Sequence, residues 1–429
     1  MDAVSDRCSE ADARDHFIPV RKIDVLQALI AQGALGGEPE REKFRELCRL
    51  LGAIYHYEYF DQLERLRNDY FYFNPELDGH ARFDAAAIEN SYKDLIAALT
   101  SVLHGANFIE VPHDEIERSH REHAIVRVNI ETPMDDYREV RFFRRGHRKE
   151  KLVVSEWFGL RKHDVEIDIY DDVVLLVAIK NADGAASSGK KRRSKKPKVR
   201  PGAILLKYFR NIASADLNVL FPDVRIVMGM RDRLMLGVPA LLGGIPILLK
   251  LASTLTVLFL VAGFYLGMSS VVRDDDMAGA LAAVSGLVAL GGFIVTQYVR
   301  FQRQSLIHQK VLSDNIYYRN INNNAGIFDY IIGAAEDQEC KEAFLAYHFL
   351  LAPGDGPSDD ELDRRVEDWL RRSFGVKIDF ECDDALAKLD RLGILRRENG
   401  RLSVLPLDEA LVRLDRKWDD YFPIANPAR

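Results

Sequence analysis

The chain has 429 residues, 29% of them charged, and a formal net charge of −7, a length that suggests two or three domains. The four cysteines (Cys8, Cys48, Cys340, Cys382) form no CxxC pair, which argues against a zinc site or a disulfide framework and fits a reducing compartment. There is no P-loop, GxGxxG after a strand, GxSxG or HExxH, so the nucleotide-binding and hydrolase classes those motifs mark find no support, and no cofactor is implied.

Residues 1–15 carry acids and no apolar run. They read as a disordered N-terminus and not as a signal or transit peptide. A cytoplasmic α+β domain is expected over 16–233. His16–Gln32 reads as a short strand or turn and then a helix. A long helix is expected over Glu40–Tyr72, with Phe44, Leu47, Leu51 and Ile54 at helical spacing. Its aromatics, among them Tyr55, Tyr59, Tyr70 and Phe73, are read as packing groups. A further helix is expected over Phe83–Leu103.

From Ala106 the period changes to two, and five or six short antiparallel strands are expected up to Lys180, continuing through Ile204–Phe209. Residues 181–201 interrupt them as a disordered basic loop. Lys190, Lys191, Arg192, Arg193, Lys195, Lys196, Lys198 and Arg200 are the candidate contact to anionic lipid headgroups. The run has no interleaved aromatics, so no nucleic-acid partner is expected.

Residues 234–250 are apolar but broken by Pro239, Gly243, Gly244 and Pro246, which suggests an interfacial or re-entrant segment. Leu251–Met268 and Met277–Val299 carry no charge. At 1.5 Å per residue they would span about 27 and 35 Å as helices, close to the roughly 30 Å of a bilayer core. They are read as a transmembrane hairpin around a short non-cytoplasmic loop, 269–276. Small residues Ala278, Ala282, Gly286 and Ala289 would pack its second helix. Basic residues flank both spans while the loop holds only Arg273, so both termini are expected on the cytoplasmic side.

Cytoplasmic helices are expected over 300–352, broken by a turn at Asn320–Gly326. In the second of them EDQECKE (Glu336–Glu342) would face outward. Residues 358–421 suggest a winged-helix-like unit, two helices and then a hairpin at Asn399-Gly400.

Candidate chemistry is sparse. His113, His120 and His123 could ligate zinc but lie in a charged segment. Strand alternation accounts for Glu166 and Asp168, and His348 sits on an apolar helical face. The candidate polar site is Asn322, Asn323, Asn324, Glu336 and Glu339.

Three blocks, His56–Pro75, Phe209–Leu251 and Gln302–Leu351, resemble the transmembrane protein 143-like family, also catalogued as a domain of unknown function. The specific runs are ADLNVLFPD, DRLMLGVPALLGGI and EDQECKEAFLAYHFLL. The resemblance covers roughly residues 16–420. It implies a two-span integral membrane protein and brings no activity, substrate or cofactor. Its eukaryotic members are associated with mitochondria; without a transit peptide, a bacterial cytoplasmic membrane is expected for this chain. The expected function is a non-enzymatic, membrane-anchored interaction or scaffold protein, with the bilayer and a protein partner or homo-oligomer as partners. An oligomeric channel or transport component and a membrane-bound enzyme with its site between the soluble domains are the alternatives.

Overall fold

Apolar residues three and four apart build the helical layer. The computed structural model describes residues 15–33, 35–77, 84–112, 116, 129–131, 134–156, 161–181, 199–222, 225–227, scattered positions from 259 to 303, 318–351 and 356–422. The chain divides into two units: one holds residues 1–117, 134–214 and 319–429, the other 118–133 and 215–318.

In the first unit, α1 (Lys22–Ala31) and α2 (Glu38–Tyr70) precede α3 (Ala85–Gly105), which Asp84 caps by accepting from the Ala86 N–H. After the sheet come α4 (Ile327–Leu350), α5 (Asp359–Phe374), α6 (Cys382–Arg391) and α7 (Leu407–Asp420). Ser358 and Glu361 form a capping box at the start of α5, and Gly375 ends it at φ +70°. One core joins these helices to the sheet through Phe44, Leu51, Leu99, Phe344, Val174 and Leu206. The α2 aromatics Tyr55, Tyr59, Tyr70 and the following Phe73 are buried in that core. Cys48, Cys340 and Cys382 are buried free thiols.

The sheet is antiparallel, in the order β1-β3-β4-β5-β7. Its strands are β1 (Ile109–Glu110), β3 (Tyr137–Glu156), β4 (Arg161–Ile179), β5 (Ile204–Ala213) and β7 (Asn320–Asn323). Several expected short strands are in fact two long ones, with β3 of 20 residues and β4 of 19. Gly146 makes an irregularity inside β3. Arg145 pairs with Asp172 and His147 with Tyr170, while Gly146 takes φ +69°. A Cβ there would lie 2.5 Å from the Asp171 carboxylate, so only glycine fits. The expected turn at Asn320–Gly326 is strand β7 followed by a 3-10 turn, with Asn324 at φ +52°. The last elements are the hairpin strands β8 (Leu395–Glu398) and β9 (Arg401–Val404), turning at Asn399 and Gly400, both at positive φ.

In the second unit, β2 (Asn129–Glu131) pairs antiparallel with β6 (Arg225–Val227). Phe259, Ala262 and Gly263 are helical, as are described positions from Ala278 to Arg303.

The fold class needs one correction. Among the described residues no helix is long and apolar enough to cross a membrane. A span needs about 20 consecutive apolar residues. The long helices α2 and α4, of 33 and 24 residues, are interrupted by acids and bases and commit their apolar faces to the unit's own core. The observed class is an α+β fold with a five-stranded antiparallel sheet, and no membrane-crossing helix is found among the described residues. Apart from scattered positions, the segments 234–250, 251–268, 269–276 and 277–299 lie outside the described residues.

Candidate functional site

Helix α4 was expected to turn EDQECKE outward. It does the reverse at four of the seven positions: Gln338, Cys340, Lys341 and Glu342 are each at most 1% exposed. Buried charges need partners, and residues distant in sequence supply them.

Lys388 of α6 is 6% exposed. Its ammonium lies 3.0 Å from Glu339, 2.6 Å from Asp384 and closer still to Glu342. Glu342 also accepts from the Asn107 amide at 2.9 Å, and Glu339 accepts from the Tyr59 hydroxyl at 3.2 Å. Asn107 follows α3 in the left-handed conformation, φ +58°. The α3 backbone comes so close at Gly105 that a Cβ there would lie 2.8 Å from the Tyr59 hydroxyl. Residues from α2, α3, α4 and α6 thus meet around one lysine. At the rim, Arg391 pairs with Glu58 at 2.7 Å, and Glu58 also accepts from Tyr421 at 2.6 Å.

The electrostatics follow from burial and charge count. Burial raises the Glu339 carboxyl to about 7, with Glu342 pushing the same way and Lys388 opposing both. Burial works against the Lys388 ammonium, yet Glu342, Glu339 and Asp384 together hold it well above the usual lysine range. A lysine ammonium has three N–H donors, and three carboxylates face it. The ammonium is therefore fully engaged and held protonated, with no lone pair to act as a base or nucleophile. His348, on the same helix, stands apart: it packs edge-on to Phe44 and Phe349, and burial lowers it to about 4.

The expected polar site is not one site. Asn322 donates to the Gly326 carbonyl, Asn324 accepts from the Leu206 N–H, and Asn320 donates to Asn323, so the asparagines shape the β7 turn. Glu339 lies 12 residues beyond the start of α4, about 18 Å along a helix. Glu336, one turn before Glu339 on α4, pairs instead with Lys22 and His56. Only Glu339 of those five belongs to the lysine cluster. Lys388, Tyr59 and Asn107 come from outside that set. The one sequence signal is Lys388 itself, an amine next to the apolar stripe Ala385, Leu386, Leu389.

The remaining candidates separate. His113, His120 and His123 lie outside the described residues, as do Lys190, Lys191, Arg192, Arg193, Lys195, Lys196 and Lys198. Arg200 is described and has a structural task, donating to the Tyr72 carbonyl at 2.6 Å. Ala278 and Ala289 are helical and exposed; Ala282 and Gly286 lie outside the described residues. Glu166 pairs with Lys151 and Asp168 with His147 across the β3–β4 ladder. Among the described residues, Asp363, Glu367 and Asp379 bring carboxylates within 4.8 Å of one another. Burial, then Glu367 and Asp379, raise Asp363 to about 6. Glu367 already accepts from the Phe380 N–H at 3.3 Å. A cavity of about 140 Å³ opens elsewhere, between Phe73, Ile88, Tyr92, Arg138 and Ile179.

Residues 170–326 match a family model described as a protein of unknown function, DUF3754. The chain contains a domain of unknown function. The match names no transmembrane protein 143-like family. It takes in β5, the basic run and β7, and it ends before α4, so Glu339, Glu342 and Lys388 lie outside it. No solved structure matches the chain.

Proposed function

We propose that the chain is a non-enzymatic interaction protein that contacts anionic lipid headgroups through Lys190–Arg200. The supporting observation is how the base of this segment is held. The Ile179 N–H at the end of β4 donates to the Ala203 carbonyl at 2.9 Å, just before β5. Arg200 is tied to the Tyr72 and Asn74 carbonyls, and Lys180 to the Asp135 carbonyl. The seven other basic residues fall in the sequence between these two anchored ends. Each cation near an anionic surface adds on the order of 1 kcal/mol, so seven suffice for binding that salt weakens. The non-enzymatic part of the reading rests on Lys388, whose donors the neighbouring carboxylates consume.

The test is co-sedimentation of the full chain with phosphatidylserine–phosphatidylcholine vesicles. The chain should pellet with these and not with pure phosphatidylcholine. Replacing the seven cations Lys190 to Lys198 by serine should abolish pelleting. Equal pelleting of this variant and the unmodified chain would overturn the proposal.

A further inference from the structure

The segment before α1 has neither helix nor strand, yet buried side chains hold it along its length. The Asp15 carboxylate accepts from the Gly146 N–H at 2.6 Å. The Asn107 amide donates to the His16 carbonyl at 3.0 Å. Gln338 engages Ile18 in both directions: its oxygen accepts from the Ile18 N–H at 3.1 Å, and its nitrogen donates to the Ile18 carbonyl at 3.3 Å. The Lys341 ammonium donates to the Ile18 carbonyl at 2.7 Å and the Val20 carbonyl at 3.1 Å. At the other side, Asp379 gives its N–H to the Asp15 carbonyl at 3.3 Å.

Side chains add selectivity. Ile18 is fully buried, while the following Pro19 is exposed and has no N–H to satisfy. The Phe17 ring lies 4.5 Å from the Arg145 guanidinium and 5.7 Å from the Lys341 ammonium, both on its face. Arg145 is fixed by Asp172 at 2.8 Å.

Gln338 and Lys341 are each 1% exposed. Burial lowers the Lys341 ammonium against the pull of Asp337. Without the segment, Gln338 would lose both of these partners and Lys341 two acceptors, which is costly for buried groups. Main-chain hydrogen bonds for affinity and one deep side-chain pocket for specificity are how proteins recognise extended peptides.

We infer that the groove formed by Gln338, Lys341, Asn107, Gly146 and Arg145 is a peptide-recognition site. The chain's own Asp15–Val20 fills it in cis, and a partner's extended segment of aromatic–aliphatic–proline sequence takes the same place in trans. The tethered segment competes at an effective concentration on the order of millimolar, so weakening it should open the site. The groove shares no residue with the basic run, so failure of the vesicle experiment leaves this inference standing, and the reverse.

The test uses the full chain and a fluorescein-labelled peptide, DHFIPVRK (residues 15–22), read by anisotropy. Phe17→Ala in the chain removes the segment's ring and leaves every groove residue in place. This variant should bind the peptide about ten-fold tighter than the unmodified chain. The same peptide with Ile18→Asp should bind neither. Ile18→Asp in the chain should open the site further; if it does not fold, Phe17→Ala alone decides. A Phe17→Ala chain with unchanged circular dichroism that binds no peptide, or binds both peptides alike, would overturn the inference. So would an unmodified chain that is a dimer and becomes a monomer on Phe17→Ala, since a second copy's segment would then be the occupant.

Discussion

Replacing Glu339 by glutamine tests whether burial or the ion pair with Lys388 governs the cluster. The carboxyl has an ordinary value of 4.5 and is held at about 7 in the folded chain. A carboxyl raised on folding binds more protons folded than unfolded between those values, so its contribution to stability falls as pH rises through that window. At about 1.36 kcal/mol per unit, the loss from pH 5 to pH 8 is about 2.5 kcal/mol. Glutamine keeps the shape and an acceptor for Tyr59 but cannot ionise. The unfolding free energy of Glu339→Gln minus that of the unmodified chain should therefore rise by about 2.5 kcal/mol from pH 5 to pH 8. Urea unfolding followed by circular dichroism at the two pH values measures it. A difference that stays constant, or falls with pH, would refute the reasoning, because it would mean that Lys388 and not burial sets the state of Glu339.

Other outcomes follow from the same geometry. His348 falls from 6.5 to about 4 on burial, so the unfolded chain binds the extra proton, and stability is lost as pH falls through that window. His348→Leu should accordingly gain about 2 kcal/mol more at pH 5 than at pH 8, measured by the same unfolding curves; an equal effect at both pH values would contradict it. Lys388→Met leaves Glu342 and Glu339 buried without their cation and should cost about 3–5 kcal/mol near neutral pH. A loss below roughly 1 kcal/mol would show that the cluster is solvated.

Local features of the fold were legible, and distant pairings were not. The α2 positions Phe44, Leu47, Leu51 and Ile54 keep a helical period, and Asn399-Gly400 announces its hairpin, because each signal lies within a few residues. Gly146 is ambiguous in the sequence for a physical reason. Glycine supplies positive φ to a turn and to an irregular strand alike, and only the β4 partner, with Tyr170 and Asp172 flanking Asp171, distinguishes them. EDQECKE looks solvated because acids usually are. Its burial depends on Lys388, 46 residues from Glu342, and on Asn107, 235 residues from it. The grip of Gln338 and Lys341 on Ile18 spans more than 300 residues and leaves no periodic trace. An apolar run states only that a segment avoids water; among the described residues, no helix has the length and apolar character to cross a bilayer.

A contact driven by the charge of the basic run must weaken with salt. Partitioning of the full chain onto phosphatidylserine-containing vesicles should fall steeply as ionic strength is raised, since the Debye length shrinks from about 10 Å at 0.1 M to about 3 Å at 1 M. The seven-serine variant should show no partitioning at any ionic strength. Strong, salt-insensitive partitioning of the unmodified chain would show that the basic run does not drive the contact.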